Sequence, residues 1–264
     1  MNQEQPPSIA DLHKVFLNDG VDLAIKAAQK ALDEAKIDPS QITHIVATTC
    51  TDSANPGFDH FLAKGLEIRH PVEKVLLHGV GCSGGLAALR TGANLALAYT
   101  ARERPARVLC VALELCTTLA RSELESINEL QETRIGACLF SDCASAVVLS
   151  NGLGETIDPI YRLLGWSSET IPETEDDLGF DVDPSGKLLS PIKKSEINRG
   201  TNVLKAGRWC SHLGSPRSRA RRYLLHLRSS WPPCRNYLPI TKKLSILTGL
   251  CTQAVRPFSL VPRR

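Results

Sequence analysis

The residues best suited to chemistry lie in Gly81–Gly85, whose sequence is Gly-Cys-Ser-Gly-Gly. The run 73–80 before them is apolar after its first residues and predicts a buried strand that ends in a turn. The segment Leu86–Tyr99 after them is apolar on almost every side, with Arg90 as its only charge, which predicts a central, buried helix. The pattern therefore places the sulfur of Cys82 in a sharp turn at the N-terminal end of a helix.

This position suits a nucleophilic cysteine. The free N–H groups and the positive end of the helix macrodipole favour an anion, and the thiolate is the reactive form of cysteine. The flanking glycines allow a tight turn and a close approach of other backbone. We therefore expect acyl transfer through a thioester on Cys82. The alternative is an inert core residue, because free cysteines are among the most buried side chains.

The surrounding elements alternate between strands and helices. An amphipathic helix is predicted over 19–36, and a buried strand over Thr43–Cys50. Pro56-Gly57 then turns into a short helix that ends near Leu66. A further strand is predicted over 107–113. Residues 134–150 are predicted to form two strands, or one long strand that bends at Ser141-Asp142. A hairpin is predicted over Leu178–Pro191. This alternation indicates an α/β fold with a mostly covered sheet.

Composition limits the class of protein. The chain has 264 residues, of which 42% are hydrophobic, enough for a sizeable core. The chain contains no run of 18 apolar residues, so no membrane span is predicted. The polar start of the chain lacks the form of a signal peptide. The nine cysteines are scattered, without CxxC or Cys/His metal spacing. We expect a cytoplasmic protein with reduced thiols, no bound metal and no membrane contact.

Charge divides the chain unevenly. Residues 199–264 hold 14 of the 31 Lys and Arg residues and none of the 28 Asp and Glu residues. Periodicity also disappears after Lys194, so this segment is interpreted as a basic, disordered or out-of-frame tail. The predicted organisation is a unit over 1–165 that carries the cysteine, the start of a second unit over 166–198, and the tail over 199–264.

Five ordered pieces of sequence resemble the type III polyketide synthases, the chalcone-synthase-like enzymes of the thiolase superfamily. They are THIVATTCT at 43–51 with Pro-Gly-Phe-Asp at 56–59, VLLHGVGCSGG at 75–85, Glu-Leu-Cys at 114–116, GACLFSD at 136–142, and LGFDVDP at 178–184. Together they span about residues 15–192, and the last piece is similar to fungal members. β-Ketoacyl synthase III and hydroxymethylglutaryl-CoA synthase share the fold and the cysteine, but the third and fifth pieces fit them less well.

The resemblance implies a role for each matching residue. Cys82 matches the acyl-carrying nucleophile, and Phe140 matches the phenylalanine between the CoA tunnel and the cavity. Cys116 and Leu119 fall at cavity-lining positions that tune starter size and chain length. Asn55 falls where a residue crosses the dimer interface into the partner's cavity. The alternative for Phe140 is an ordinary core aromatic on a strand, and for Cys116 and Leu119 plain packing beside a strand end.

The same resemblance implies the chemistry and the partners. Such enzymes load a CoA-linked starter onto the cysteine, condense it with an enolate from malonyl-CoA, and release a cyclised polyketide. The substrates are acyl-CoA and malonyl-CoA, and no cofactor is needed. A homodimer, or a heterodimer with a full-length synthase, is implied, without nucleic acid. The implied fold is the layered thiolase-like fold, with the N-terminal half largely present and the C-terminal half mostly missing.

The chain also departs from the family pattern. The His-Pro-Gly-Gly and Asn-(small)-Ser-Ser contexts of the family's catalytic histidine and asparagine do not occur. The beginning is expected to be truncated, and the sequence aberrant after about residue 195. The alternative function is therefore a catalytically incomplete fragment or a non-catalytic dimerisation partner. Binding of nucleic acid through the basic tail is a third hypothesis, with less support because the tail has no predicted fold.

Overall fold

The computed structural model describes most of the first 154 residues and short segments beyond them. The described residues are 7–131, 137, 140–154, 159, 161–163, 165–166, 181–182, 188–189, 238–240 and 260–262.

Four strands form the centre of the sheet. They are β1 (His44–Thr48), β2 (Glu73–Leu77), β3 (Arg107–Glu114) and β4 (Cys143–Ser150). Strand β1 lies between β2 and β3 and is parallel to both, whereas β4 runs antiparallel to β3, with Glu114 opposite Cys143. The C-terminal ends of the three parallel strands and the start of β4 therefore meet at one edge of the sheet. The mixed α/β fold is the fold predicted from the sequence.

The helices of this part of the chain are α1 (Ile9–Val15), α2 (Val21–Ala35), α3 (Phe58–Gly65), α4 (Gly84–Thr100) and α5 (Thr117–Leu130), and a π-helical turn (Phe16–Gly20) joins α1 to α2. Helices α2 and α3 pack on one face of the sheet and α4 packs on the other. Alternate residues of each strand point to opposite faces. On one face, Ile45 and Leu109 pack into the cluster that contains the buried stripe of α2. On the other, Val46 and Val108 pack with the alanines of α4.

Two predictions of complete burial are wrong for the described part of the chain. Strand β2 is the outermost strand of the sheet and pairs with β1 alone. Its residues Glu73 and Lys74 are exposed, and the remaining three are half-buried. Helix α4 buries only one face, made of Gly84, Ala87, Ala88, Gly92, Ala93 and Ala96. Only one sheet packs against α4 here, so its leucine-rich flank is not enclosed.

Helices α1 and α5 were not predicted from the sequence. Helix α1 has only seven residues and buries none of them, so its apolar periodicity is weak. A capping box, in which Ser8 and Asp11 exchange hydrogen bonds, starts it. The helix predicted over 19–36 is present as α2, and the short helix predicted after Pro56-Gly57 is present as α3.

The later part of the chain is described only in short pieces. Strand β5 (Tyr161–Leu163) and two three-residue strands, β8 (Leu238–Ile240) and β9 (Leu260–Pro262), extend the sheet in the order β2-β1-β3-β4-β8-β5-β9. The predicted hairpin is present as β6 (Asp181–Val182) paired antiparallel with β7 (Leu188–Leu189). Most of 199–264 lies outside the described residues, so the division into three units stays a prediction.

Candidate active site

Four cysteines lie at the edge of the sheet where the parallel strands end. Cys50 follows β1 by two residues, Cys82 follows β2 by five, Cys116 follows β3 by two, and Cys143 begins β4. Because β1 lies between β2 and β3 and is parallel to both, the ends of these strands bring Cys50, Cys82 and Cys116 to the same side of the sheet. Ligand sites of open α/β sheets lie outside the carboxyl ends of the strands, so this edge is the candidate active site.

The local backbone delivers Cys82 to the start of α4, as the sequence predicts. Gly79 and Gly81 have φ values of 70° and 50°, which L side chains rarely adopt. Residues Gly81–Ser83 form one 3-10 turn, and the Ser83 hydroxyl donates to the carbonyl of Val80 at 2.6 Å. The Ser83 side chain therefore does not cap α4, and the first amides of this helix lie directly after the half-buried Cys82.

The carboxylate of Glu114 bonds directly to Cys50, one of these cysteines. The backbone N–H of Cys50 donates to both of its oxygens, at 3.1 and 3.0 Å, and the Cys50 thiol donates at 3.3 Å. The Thr49 hydroxyl donates to it at 3.4 Å. Burial raises the pKa of Glu114, although these hydrogen bonds oppose the shift. Glu114 thereby ties the end of β1 to the end of β3.

The surroundings make Cys50 and Cys116 poor nucleophiles. Burial raises the pKa of the Cys116 thiol to about 12, and the charges of Glu114, Asp142 and Cys82 add to the shift. Burial, followed by the charge of Glu114, also raises the pKa of Cys50 far above its usual range. Because the thiolate is the nucleophile, both residues are almost entirely in the unreactive form near neutral pH.

Cys110 is a core residue. It lies in the middle of β3, its thiol contacts the carbonyl of Ala88 at 3.5 Å, and burial raises its pKa to about 12. Cys82 and Cys116 each lie just before a long helix, α4 and α5, but burial and the neighbouring charges raise the pKa of Cys116 and leave it protonated. The arrangement therefore supports Cys82 as the thiol suited to carry an acyl group.

The start of α5 and the segment before β4 lie side by side at this edge, and they carry Cys116, Leu119 and Phe140. Cys116 is the N-cap residue of α5, and Leu119 lies in its first turn, half-buried. The backbone N–H of Thr117 donates to Asp142 at 2.7 Å, which fastens the segment before β4 to the start of α5. Phe140 lies in that segment, outside any strand, with its side chain 48% exposed. The alternative of a buried core aromatic on a strand is therefore wrong for Phe140.

Asn55 lies on a loop that leaves the same edge. The loop connects β1 to α3, and Asn55 and Pro56 are exposed on it. The roles that the resemblance implies for Asn55, Phe140, Cys116 and Leu119 stay predictions.

Glu114 and Cys50 are site residues for which sequence reasoning assigned no role. A signal was present, because Glu114 ends β3, Cys50 follows β1 by two residues, and ligand sites of open α/β sheets lie outside the carboxyl ends of the strands. Their contact joins residues 64 positions apart and depends on the parallel pairing of β1 with β3, which short-range periodicity does not reveal.

The described residues contain no group of three or more His, Cys, Asp or Glu side chains placed to hold a metal ion. None of the helices in this part of the chain is long and apolar enough to cross a membrane.

Comparison with a family model extends the sequence resemblance. Residues 1–152 match the N-terminal domain of chalcone and stilbene synthases. This match covers more than half of the chain and includes Cys82 together with β1 to β4.

Individual relatives and solved structures agree with the family match. Acylalkylpyrone synthase csyB of Aspergillus oryzae is 41% identical over 183 residues, which cover 68% of this chain and 46% of csyB. The crystal structure of ORAS, a fungal type III polyketide synthase, is 52% identical with a TM-score of 0.73 and covers 89% of this chain and 59% of ORAS. The crystal structure of CsyB with CoA-SH is 37% identical with a TM-score of 0.71, over 78% of this chain and 54% of CsyB. The chain thus spans about half the length of csyB, the curated relative described here.

Proposed function

The chain belongs to the chalcone and stilbene synthase family, and from that premise we propose that it acts as an acyltransferase of the type III polyketide synthase class. The observation that carries the proposal is the position of Cys82, in a glycine turn at the start of α4 and at the C-terminal edge of the parallel strands. Acyl transfer needs a thiol that attacks as a thiolate and leaves again as one.

The first step is thioester exchange. The Cys82 thiolate attacks the carbonyl carbon of an acyl-CoA, the carbon–sulfur bond to CoA breaks, and CoA leaves as a thiolate that takes up a proton from solvent. The amide N–H groups at the start of α4 stabilise the Cys82 thiolate before the attack. The raised pKa values of Cys50 and Cys116 leave those neighbours protonated and prevent them from competing.

The second step is condensation. Malonyl-CoA loses CO2 to give an enolate, whose carbon attacks the acyl carbonyl on Cys82, and the Cys82 thiolate is released. The family resemblance supports this step, and CoA thioesters are the proposed substrates. The crystal structure of CsyB with CoA-SH supports CoA as the carrier, and the name of csyB supports an alkyl acyl group as starter.

We also propose a homodimer that forms around the loop bearing Asn55. The exposure of Asn55 and Pro56 on the site edge of the sheet supports it. Sedimentation of the unsubstituted chain and of Asn55→Arg tests it, with a dimer expected for the first and a weakened dimer for the second. A monomer at micromolar concentration in both cases contradicts this part of the proposal.

The release of CoA tests the enzymatic proposal. The full chain is mixed with acyl-CoA donors from acetyl to stearoyl, and free CoA is measured by chromatography. We expect a rapid release of about one CoA per chain with a long-chain donor, and none from Cys82→Ala. Addition of malonyl-CoA is expected to produce further release and a ketide product visible by mass spectrometry. Absence of CoA release with every donor overturns the proposal.

A further inference from the structure

A side-chain pair outside the thiol cluster holds the loop between β1 and α3. The Nδ1–H of His13 on α1 donates to Oδ1 of Asp52 at 2.8 Å, and the side chain of Asp52 is only 10% exposed. The carboxylate accepts hydrogen bonds only, so the ring nitrogen carries the proton. The other oxygen of Asp52 accepts the backbone N–H of Ala54 at 3.2 Å. One carboxylate thus joins the loop to a helix 39 residues earlier and fixes the turn of the loop.

The far end of the same loop is held by Phe16, the first residue of the π-helical turn that directly follows α1. Phe16 lies three residues after His13 and is fully buried, and its ring contacts the ring of Phe58 edge to face, with centroids 6.1 Å apart. Residues three apart lie on one side of a helix. His13 and Phe16 therefore lie on the same side of this segment. His13 contacts Asp52 at the beginning of the loop, and Phe16 contacts Phe58 at its end.

The start of this loop is continuous with the surroundings of Cys82. The Cys50 amide and thiol are bound by Glu114, and the Thr51 hydroxyl accepts the backbone N–H of Leu115 at 2.9 Å. Cys50 follows β1 and Cys82 follows the neighbouring parallel strand β2, and Gly84 at the start of α4 lies against Thr48 at the end of β1. Residues 49–51 are therefore held from the sheet side, and residues 52–58 from the helix side.

We propose that His13 and Asp52 are positioning residues, which hold the loop 52–58 as a wall of the space in which Cys82 receives its acyl group. The inference rests on the proposed acyl transfer. Neither residue contacts Cys82, so their loss leaves the reactivity of the thiol unchanged. Their loss instead lets the loop leave its position, which weakens the binding of the acyl donor. The expected signature is a change in the half-saturating donor concentration without a change in the limiting rate.

Four variants separate this role from a general effect on folding. His13→Leu removes the donor, whereas His13→Asn places an amide N–H close to the position of Nδ1–H and is the rescue. Asp52→Ser keeps an acceptor for the Ala54 amide but does not reach His13. Lys14→Leu is the matched control on the same helix, because the exposed Lys14 pairs with Asp11 alone, at 3.4 Å, among the ion pairs of the described residues.

The experiment combines amide hydrogen exchange over residues 50–57 with the donor dependence of palmitoyl-CoA loading, both on the full chain. In His13→Leu and Asp52→Ser we expect exchange about three- to tenfold faster and a half-saturating concentration raised by a similar factor, the range for loss of one hydrogen bond. The limiting rate stays unchanged, and His13→Asn and Lys14→Leu behave like the unsubstituted chain.

Two results overturn the inference. One is unchanged exchange over 50–57 in both His13→Leu and Asp52→Ser, which would mean that the pair does not hold the loop. The other is faster exchange with an unchanged half-saturating concentration, which would mean that the loop does not serve donor binding. Failure of the unsubstituted chain to load any palmitoyl group contradicts the proposed function itself, and the exchange data still decide whether the pair holds the loop.

Discussion

Gly84 and Thr48 lie so close together that no side chain fits between them. A Cβ atom added to Gly84 would lie 2.5 Å from Thr48 Oγ1 and 3.2 Å from its Cγ2. Gly84 is the first residue of α4, and Thr48 is the last residue of β1. The start of α4, which directly follows the turn with Cys82, therefore packs against the end of the central strand, and this contact positions the turn relative to the sheet.

Substitution of Gly84 by alanine is expected to displace the start of α4. The added methyl group cannot be accommodated without movement of Thr48 or of the helix, and such overpacking costs about 1–3 kcal/mol. We expect Gly84→Ala to lower the free energy of unfolding by that amount and to slow acyl loading. Chemical denaturation and the CoA release assay measure the two effects.

Gly85→Ala is the matched control. A Cβ at Gly85 has Ala112 Cβ as its nearest neighbour, at 3.9 Å, which is ordinary contact. Alanine is also the better helix former by about 0.5–1 kcal/mol, so this variant should be as stable as the unsubstituted chain or slightly more stable. Equal behaviour of the two variants would contradict the close contact at Gly84.

Glu114 is expected to keep its neighbouring thiols unreactive. Its charge raises the pKa of Cys50 and Cys116, after burial as the larger cause. Glu114→Gln removes the charge but keeps an acceptor for the Cys50 amide. The pKa of both thiols should fall, and their alkylation by iodoacetamide at pH 8 should become about three- to tenfold faster.

Peptide mass spectrometry follows the alkylation of each cysteine separately. Cys110 serves as the internal reference, because burial alone raises its pKa and Glu114 does not act on it. Its rate should be equal in the two proteins. Unchanged rates at both Cys50 and Cys116 in Glu114→Gln would show that the carboxylate does not control these thiols.

The buried His44 is expected to make the fold sensitive to acid. Its ring is fully buried, with Nδ1 2.7 Å from the Thr43 hydroxyl, and its Nε2 has no hydrogen-bond partner among the described residues. Burial lowers the pKa of His44, and Glu73, 3.6 Å from Nε2, opposes the shift only in part. The folded chain therefore binds its proton less readily than the unfolded chain does.

The sign of the pH dependence follows from this lowered pKa. The neutral ring contributes its full stability above the unfolded pKa of about 6.5, and the contribution is lost as the pH falls toward the folded pKa. His44→Phe keeps a ring against Tyr99 and removes the titration. Between pH 7 and 5 the free energy of unfolding should fall less in His44→Phe than in the unsubstituted chain. A variant of the exposed His60, His60→Phe, should retain the original slope, and identical slopes in all three would contradict the role of His44.

The nucleophile turn could be predicted from the sequence because its determinants are local. A β-strand, positive-φ glycines and an apolar helix follow one another within about 30 residues, and each leaves its own short-range pattern. From these features the sequence predicts Cys82 in a turn before a helix, and the structure has Cys82 in the turn that precedes α4.

The rest of the site depends on contacts that short-range patterns do not contain. The bonds from Cys50 to Glu114 and from His13 to Asp52 join residues 64 and 39 positions apart. Burial of α4 was overestimated for a related reason, since periodicity reports which residues are apolar and not what is present to cover them. The exposed position of Phe140 likewise depends on the attachment of Asp142 to Thr117.

The central claim is that Cys82, among all the thiols at this edge, receives the acyl group. The full chain and the variants Cys82→Ala, Cys50→Ser and Cys116→Ser are incubated with palmitoyl-CoA near neutral pH. The adduct is then located by intact-mass and peptide mass spectrometry under conditions that preserve thioesters. Cys50→Ser and Cys116→Ser control for loss of a neighbouring thiol at the same edge.

The most direct measurement is the mass of the acylated peptide. We predict one palmitoyl group on the peptide that contains Cys82, present in the unsubstituted chain, Cys50→Ser and Cys116→Ser, and absent from a folded Cys82→Ala. An adduct on Cys50 or Cys116 that persists in Cys82→Ala, or no adduct on Cys82 in the unsubstituted chain, would contradict the account.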